Sequence, residues 1–242
     1  KHQPKKHWHI DKKLANDTFF ALSLHVEAPP NQFFETLLPK ITHYVKSNYR
    51  DVWAAVKHKR LQKHKQYMAQ IPFSDLKVFE VVLKSIPKNY ILQIGNSSAI
   101  RYAQLFHLDK TLEVYCNRGT SGIDGSTSTA IGCAAVSKKP TVFITGDLSF
   151  IYDSNALWNN YIPKSFRIIV INNQGGGIFR ILPGDKTSDK FEAYFETTHN
   201  LNAKYLCKMY GIEYLTASTE LQIKSKIIII FIFNNNNNNN NN

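Results

Sequence analysis

The chain has 242 residues, and its 43% hydrophobic content is enough to build the core of one large domain, or of one domain and part of another. Its three cysteines are odd in number and form no C-x-x-C pair, which argues against a disulfide framework or a zinc ribbon and favours a reducing, cytoplasmic setting. The formal net charge of +12 is compatible with nucleic acid, an anionic membrane surface or small anionic ligands, and does not choose among them.

The two ends of the chain differ in composition from its middle. The first residue is Lys rather than Met, so we expect a fragment of a longer protein. Residues 1–45 contain Pro29-Pro30 and "FFETLLP" without a regular pattern, and they are interpreted as the trailing part of a separate domain. Near the other end, "IIIIFIF" is far shorter than the roughly 20 residues that a membrane helix needs, so no membrane span is predicted. The asparagine run that follows predicts a low-complexity tail over 227–242.

The densest basic stretch is "KHKRLQKHK" at 57–65. Tyr49, Trp53 and Val56 recur just before it at helical spacing, which predicts an amphipathic helix whose basic residues form the solvated face. A nucleic-acid surface would be favoured by interleaved aromatic residues or a known reader motif, and the stretch has neither. Nucleic-acid binding is therefore not predicted.

From about Tyr90 onward, short apolar runs alternate with helical patterns. Strands are predicted at 89–95, 112–117, 140–146, 166–173 and 212–217. Helices are predicted at 97–106, 124–137, 154–160 and 202–211. This order predicts an α/β fold, with a parallel sheet flanked by helices on both faces.

Ligands of such sheets bind at the carboxyl ends of the strands. Four turns at this position carry polar groups, at 95–97, 117–119, 146–147 and 172–173. Asp147 and Asn173 are separated by one strand-helix-strand unit, so their side chains are expected to converge. A carboxylate and an amide oxygen suit Mg²⁺, and the glycines at 175–177 would let a diphosphate approach the backbone. The alternative is structural, with Asp147 capping a helix and Asn172-Asn173 forming a turn.

Three stretches carry a resemblance to a known family: "NRGTSGIDGSTST", "GDLSFIYDSNAL" and "NNQGGGIFRILPG". G-D followed by N-N after one strand-helix-strand unit resembles the thiamine diphosphate motif, with Leu148 in place of its third glycine. With all three stretches together, the chain resembles the MenD family of menaquinone biosynthesis over about residues 1–220. The resemblance implies the end of a central α/β domain at 1–45 and the thiamine diphosphate-binding domain at 46–226.

The resemblance also implies a cofactor site. Asp147, the side chain of Asn173 and the carbonyl group of Gly175 would hold Mg²⁺ or Mn²⁺, and Ile123 would be the apolar wedge that bends the cofactor. The full set of implied cofactor-binding residues is Ser121, Ile123, Asp147, Leu148, Ser149, Asn173, Gly175, Gly176 and Ile178. An ordinary buried aliphatic position remains the alternative for Ile123.

The substrate-binding positions implied by the resemblance are Ser97, Arg101, Arg118, Ile178, Phe179 and Leu182. The substrates, 2-oxoglutarate and isochorismate, are dicarboxylates, and arginine binds a carboxylate through two parallel hydrogen bonds. A surface charge or a helix salt bridge remains the alternative for the arginines, as core packing does for the apolar residues.

The implied reaction is decarboxylation of 2-oxoglutarate and addition of the succinyl carbanion equivalent to isochorismate, in a homodimer or homotetramer. The family's activating glutamate belongs to a pyrimidine-binding domain that would precede this chain. Because Glu27, Glu35 and Glu80 lie in the wrong context, no catalytic acid or base is assigned, and the chain alone is expected to be inactive. Two alternatives stay open: another thiamine diphosphate enzyme, such as an acetolactate synthase or a 2-oxo acid decarboxylase, and a basic binding module without enzymatic activity.

Overall fold

The structure, a computed structural model, describes residues 3–44 and 46–226. The chain divides into two compact units, one ending at His64 and the other beginning at Lys65. The predicted domain boundary at 45 and 46 stays a prediction, and the predicted tail at 227–242 lies outside the described residues.

The first unit contains a pair of parallel strands, β1 (His7–Ile10) and β2 (Leu22–Val26), followed by helix α1 (Pro30–Leu37) and a 3₁₀ turn (Leu38–Lys40). The carboxylate of Asp17 accepts hydrogen bonds from the backbone N–H groups of Ala21 and Leu22, at 2.8 and 2.9 Å. These bonds fix the turn that starts β2.

Helix α2 (Tyr49–Gln70) occupies the basic stretch, so the helix predicted there is confirmed. Its apolar face is not buried as expected, because Tyr49, Trp53 and Val56 are 69%, 56% and 42% exposed. The apolar pattern stops at Val56, where the basic run begins, so no continuous apolar stripe forms along the helix.

The second unit is built on a parallel sheet, as predicted, and in the described residues this sheet has four strands rather than the five expected. Its strands are β3 (Ile91–Ile94), β4 (Glu113–Cys116), β5 (Thr141–Gly146) and β6 (Phe166–Ile171). The spatial order is β4-β3-β5-β6, and Gly146 of β5 lies opposite Ile171 of β6. The residues that follow these two strands therefore leave the sheet side by side.

Helices cover both faces of this sheet. They are α3 (Asp75–Ser85), α4 (Ser98–Ala103), α5 (Ser126–Val136), α6 (Asp147–Tyr152), α7 (Ile178–Ile181), α8 (Lys204–Met209) and α9 (Glu220–Lys226), with a 3₁₀ turn at Ser154–Trp158 and a π-helical turn at Phe191–Glu196. Successive side chains of a strand point to opposite faces of the sheet, so the sheet has a hydrophobic core on each face. Ile169 packs with α3, α4 and α9 on one face, and Ile168 packs with α5, α6 and α8 on the other. No helix in the described part of the chain is long and apolar enough to cross a membrane.

The strand order reverses direction between β3 and β5. The chain passes from β3 to its outer neighbour β4 by α4, and then crosses back beyond β3 to β5 by α5 on the opposite face. The turns that follow β3 and β5 therefore diverge and leave a crevice at the carboxyl edge. Such switch points are where open α/β sheets bind ligands.

Two predicted elements differ in the structure. The helix expected at 154–160 begins earlier, as α6 directly after β5, and the predicted segment holds only a 3₁₀ turn. The last strand, predicted at 212–217, is wrong, since among the described residues β6 pairs with β5 alone. That segment instead buries apolar side chains, with Ile212 and Tyr214 against one core and Ala217 in the other. Its alternating apolar residues reflect side-chain packing rather than strand pairing.

Candidate functional site

A cavity of about 290 Å³ opens at the switch point of the sheet. Its lining comes from the turns after β3, β5 and β6, from Ile123, and from helices α3 and α4. The lining residues are Asp75, Phe79, Asn96, Ser97, Ser98, Ala99, Tyr102, Ile123, Gly146, Asp147, Leu148, Ser149, Ile171, Asn173, Gly175, Gly176, Gly177, Ile178 and Phe179. Asp147, Asn173 and Gly175, which the sequence predicts as metal ligands, thus line one cavity.

Asp147 is the buried carboxylate of this cavity, with only 4% of its surface exposed. The backbone N–H of Leu148 donates to its Oδ1 at 2.7 Å, and the N–H of Gly175 donates to its Oδ2 at 3.1 Å. The second bond joins the turn after β5 to the turn after β6. Each carboxylate oxygen keeps capacity for a further contact, because a carboxylate offers about four lone-pair sites.

A histidine that the sequence analysis did not select lies beside Asp147. Nε2 of His199 is 3.4 Å from Oδ2 of Asp147, and the two side chains are 10% and 5% exposed. Burial raises the pKa of the Asp147 carboxyl, while the N–H of Leu148, the charge of His199 and the N–H of Gly175 act in the opposite direction. A cation in the cavity would stabilise the charged carboxylate that burial disfavours.

The two asparagines after β6 have different surroundings. Asn172 is 2% exposed, and its carboxamide accepts from the N–H of Gln174 at 3.1 Å and donates to the carbonyl group of Leu201 at 3.0 Å. Asn173 is exposed and lines the cavity, with its Nδ2 donating to Oδ2 of Asp75 at 2.7 Å. Asn172 therefore forms the turn, and Asn173 lines the site with its amide nitrogen bonded to Asp75.

The glycines after Asn173 are required by a close backbone approach. Gly175 has φ +155°, and a Cβ there would lie 2.7 Å from the carbonyl oxygen of Glu196. The N–H of Gly176 donates to the same oxygen. The missing side chains at Gly175 and Gly176 make room for the segment at 195–197, and the room they would give a diphosphate stays a prediction.

The turn that carries Ile123, after β4, is held by residues that follow β3 and β5. The hydroxyl group of Ser149, which is buried after β5, donates to the carbonyl group of Ile123. The carboxamide of Asn96, which follows β3, donates to the carbonyl group of Gly122 at 2.6 Å. Ile123, predicted as the apolar wedge, is thereby fixed against the cavity that it lines.

Backbone strain accumulates at this edge. Ser97, Ser121 and Gln174 follow β3, β4 and β6, and all three are non-glycine residues with positive φ, at 66°, 61° and 65°. Such conformations cost free energy and cluster at functional sites. The strain therefore supports a binding role for the turns that carry it.

Four of the predicted site residues do not line the cavity. Arg101 is exposed, and its guanidinium group donates to the carbonyl group of Ser97 in the preceding turn at 3.2 Å. Arg118 donates to Oδ1 of Asn96 at 3.0 Å, and the carbonyl group of Arg118 accepts from the hydroxyl group of Ser121. Leu182 is 37% exposed, beyond the end of α7.

Several lining residues were not selected by the sequence analysis. Asp75, Phe79 and Tyr102 reach the cavity from α3 and α4, and Asp75 lies 98 positions before its partner Asn173. No local motif signals a contact over that separation. Asn96 was noted only as part of a polar turn, although its position directly after a buried strand was a usable signal.

Comparison with known proteins agrees with this geometry. Residues 93–237 match the family model described as thiamine pyrophosphate enzyme, C-terminal TPP binding domain. The chain belongs to this family. The thiamine pyrophosphate (thiamine diphosphate) of the family is therefore the expected ligand of the cavity at the sheet edge.

Relatives share similarity along most of the chain. A 2-succinyl-5-enolpyruvyl-6-hydroxy-3-cyclohexene-1-carboxylate synthase of Flavobacterium psychrophilum is 56% identical over 227 residues, which cover 94% of this chain and 41% of that protein. The synthase of the same name from Flavobacterium johnsoniae is 60% identical, over 90% of this chain and 39% of the relative. The synthase of the same name from Porphyromonas gingivalis is 38% identical, over 92% of this chain and 40% of the relative. The chain thus spans about two fifths of the length of the curated relatives it matches.

The cavity fits a magnesium diphosphate in its donor chemistry. No group of three or more His, Cys, Asp or Glu side chains in the described residues is arranged to hold a metal, so a metal ion in this cavity would also need neutral oxygens as ligands. The amide oxygen of Asn173 and the carbonyl group of Gly175 are such oxygens, and both residues line the cavity with Asp147. Mg²⁺ prefers hard oxygen ligands and completes its shell with phosphate oxygens and water.

Proposed function

We propose that this chain is the cofactor-binding part of a thiamine diphosphate- and Mg²⁺-dependent 2-succinyl-5-enolpyruvyl-6-hydroxy-3-cyclohexene-1-carboxylate synthase. The observation that carries the proposal is the meeting of Asp147, Asn173 and Gly175 in one cavity that Ile123 also lines. The relatives of that name, at up to 60% identity over most of the chain, support the choice of reaction. The substrates of the proposal are 2-oxoglutarate and isochorismate.

The metal-binding role is assigned to three residues. Asp147 would supply the anionic oxygen, and Asn173 and Gly175 would supply neutral oxygens for Mg²⁺, with Mn²⁺ as a substitute of similar ligand preference. The bond from Gly175 N–H to Asp147 supports this set, because it holds the two turns together before any ligand binds. Preorganised ligands reduce the entropy lost on binding.

The apolar residues of the lining have a second task. Leu148, Ile178 and Phe179 line the cavity with Ile123, and they would exclude water from the reacting part of the cofactor. When bound, thiamine diphosphate supplies the electron sink for breaking and forming carbon–carbon bonds next to a carbonyl group. The contribution of the chain is orientation of the cofactor and exclusion of water.

The remaining predicted residues are assigned to substrate and cofactor on the resemblance alone. Arg101, Arg118 and Ser97 would bind the carboxylates of the substrates, with Leu182 beside them, and Ser121 would contact the cofactor through its backbone. Arg118 fits this role best, since Asn96 already holds its guanidinium group. We assign no catalytic acid or base to the chain.

The proposal extends to the assembly and location of the whole protein. It acts on small molecules as a homodimer or homotetramer, without a nucleic-acid partner. It works in the cytoplasm, where the unpaired thiols of Cys116, Cys133 and Cys207 stay reduced.

The test of the reaction uses a chimera in which this chain replaces the matching part of the Flavobacterium psychrophilum relative. We expect the chimera to form product from 2-oxoglutarate and isochorismate when thiamine diphosphate and Mg²⁺ are present, measured by mass spectrometry. Pyruvate in place of 2-oxoglutarate is the control, since an acetolactate synthase would consume it. Turnover of pyruvate without turnover of 2-oxoglutarate by a folded chimera would contradict the proposed reaction.

A further inference from the structure

Asn96 is a buried carboxamide that connects two turns of the sheet edge. It is 2% exposed and follows Gly95, whose N–H still bonds to Ile144 of β5 at 2.7 Å. Its Nδ2 donates to the carbonyl groups of Asn117 and Gly122, at 2.7 and 2.6 Å. Both protons of the amide group are therefore used on the turn after β4.

The oxygen of the same carboxamide is used as fully as its nitrogen. Oδ1 accepts from Nη1 of Arg118 at 3.0 Å, and the thiol of Cys116 lies 3.6 Å from it. One side chain thus holds both the guanidinium group of Arg118 and the carbonyl group of Gly122, which lies four positions later and directly precedes Ile123. A side chain with donors and an acceptor in this geometry is an amide, since a carboxylate would lack the donors.

The turn that Asn96 holds has few other attachments. Residues 117–121 are exposed, and Ser121 has φ +61°. Gly119 has no neighbouring atom within 4 Å of the place where a Cβ would stand, so packing does not confine it. Asn117 bonds through its side chain to Thr129, Ser149 bonds to Ile123, and Ser121 bonds to Arg118 within the turn. Asn96 connects the residues between Asn117 and Ile123 to the end of β3.

We propose that Asn96 is a positioning residue that fixes Arg118 and Ile123 relative to each other, so that the substrate-binding and cofactor-binding parts of the turn form one unit. The inference rests on the proposed function, which gives Arg118 to the substrate and Ile123 to the cofactor. Asn96 acts through these two residues and has no chemical step of its own. Its two bonds to backbone carbonyl groups order the turn before ligands bind, which lowers the entropy cost of binding.

The experiment compares four variants of the 242-residue chain with the unchanged protein by hydrogen–deuterium exchange over residues 117–125. Asn96→Asp is isosteric and keeps the acceptor for Arg118 but loses both donors, whereas Asn96→Ala loses all contacts. Arg118→Ala removes the guanidinium group and leaves the donors of Asn96 in place. Asn159→Ala is the matched control, because the carboxamide of Asn159 also makes two backbone bonds, to Ala156 and Tyr161, in another loop.

We expect exchange at 117–125 to rise about tenfold in Asn96→Asp and Asn96→Ala, because each loses two buried hydrogen bonds. Exchange in that segment should stay unchanged in Arg118→Ala and in Asn159→Ala. The affinity for thiamine diphosphate with Mg²⁺, measured by calorimetry, should fall about tenfold in both Asn96 variants and remain unchanged in Asn159→Ala.

The outcomes separate this inference from the proposed function. If the unchanged chain binds no thiamine diphosphate, the proposed function is in doubt, while the exchange data still decide whether Asn96 orders the turn. Unchanged exchange at 117–125 in Asn96→Asp overturns the inference. So does an equal rise throughout β3 and β5, or failure of the isosteric variant to fold, because each would show a general structural role.

Discussion

The two halves of the sheet edge hold their polar residues in different ways. After β5 and β6, Asp147, Asn173 and Gly175 line one cavity, and the oxygens proposed as metal ligands are on the backbone or on short side chains. After β3 and β4, the long side chains of Arg101 and Arg118 lie outside that cavity, each bonded to an oxygen of the chain. The strand register places the first group directly, whereas the position of a guanidinium group depends on several rotatable bonds. The half with the three proposed metal ligands (the metal half) therefore has these residues gathered in one cavity, whereas the half with the two arginines (the arginine half) depends on what orients their side chains.

The largest expected effect is on the metal half, at Asp147. Asp147→Asn keeps the shape of the side chain and removes its charge, so Mg²⁺-dependent affinity for thiamine diphosphate should fall about a hundredfold, as measured by calorimetry. Asp109→Asn is the control, because the carboxylate of Asp109 is exposed and bonds only locally to Thr111. Equal affinity of the Asp147→Asn variant and the unchanged chain would remove this carboxylate from the site.

The glycine turn that follows should be sensitive to a single methyl group. Gly175→Ala would place Cβ 2.7 Å from the carbonyl oxygen of Glu196, and we expect the free energy of unfolding to fall by about 3 kcal/mol in urea denaturation. Gly184→Ala is a matched control with the same φ of +155° and open space around it, so it should lose only about 1 kcal/mol. Equal losses in the two variants would show that the contact with Glu196 is unimportant.

We expect substitutions of the two adjacent asparagines to have different effects, one on the stability of the fold and the other on cofactor binding. Asn172→Ala removes two hydrogen bonds of a buried side chain and should lower the free energy of unfolding by about 2 kcal/mol. Asn173→Ala should change it by less than about 0.5 kcal/mol, since the side chain is exposed, yet weaken metal-dependent cofactor binding about tenfold. The reverse pattern would assign the metal ligand to Asn172.

The smallest effects are expected on KM in the arginine half, and they would show how differently the two halves of the sheet edge are held. In the active chimera, Arg118→Ala should raise KM for 2-oxoglutarate about tenfold, because Asn96 orients that guanidinium group before binding. Arg101→Ala should raise KM only about threefold, since the guanidinium group of Arg101 is exposed and bonds to Ser97 in the turn just before its helix. A larger effect at Arg101 would mean that Arg101 is the main carboxylate-binding residue.

The sequence predicted the parts of this site that depend on local pattern. Apolar runs located all four strands of the second unit, and the turns after them located Asp147 and Asn173, because strand ends share one edge. Contacts between distant segments could not be predicted in this way. The hydrogen bond from Asn173 to Asp75 and the 3.4 Å approach of His199 to Asp147 are examples. The strand predicted at 212–217 was wrong because an alternation of apolar residues also occurs in segments that pack over a hydrophobic core without pairing with another strand.

The most direct test of the metal half is anomalous diffraction from crystals of this chain grown with thiamine diphosphate and Mn²⁺. The account predicts one manganese peak at the carboxyl edge of the sheet, in contact with oxygens of Asp147, Asn173 and Gly175 and with the diphosphate. A bound cofactor whose manganese lies away from Asp147 would contradict it.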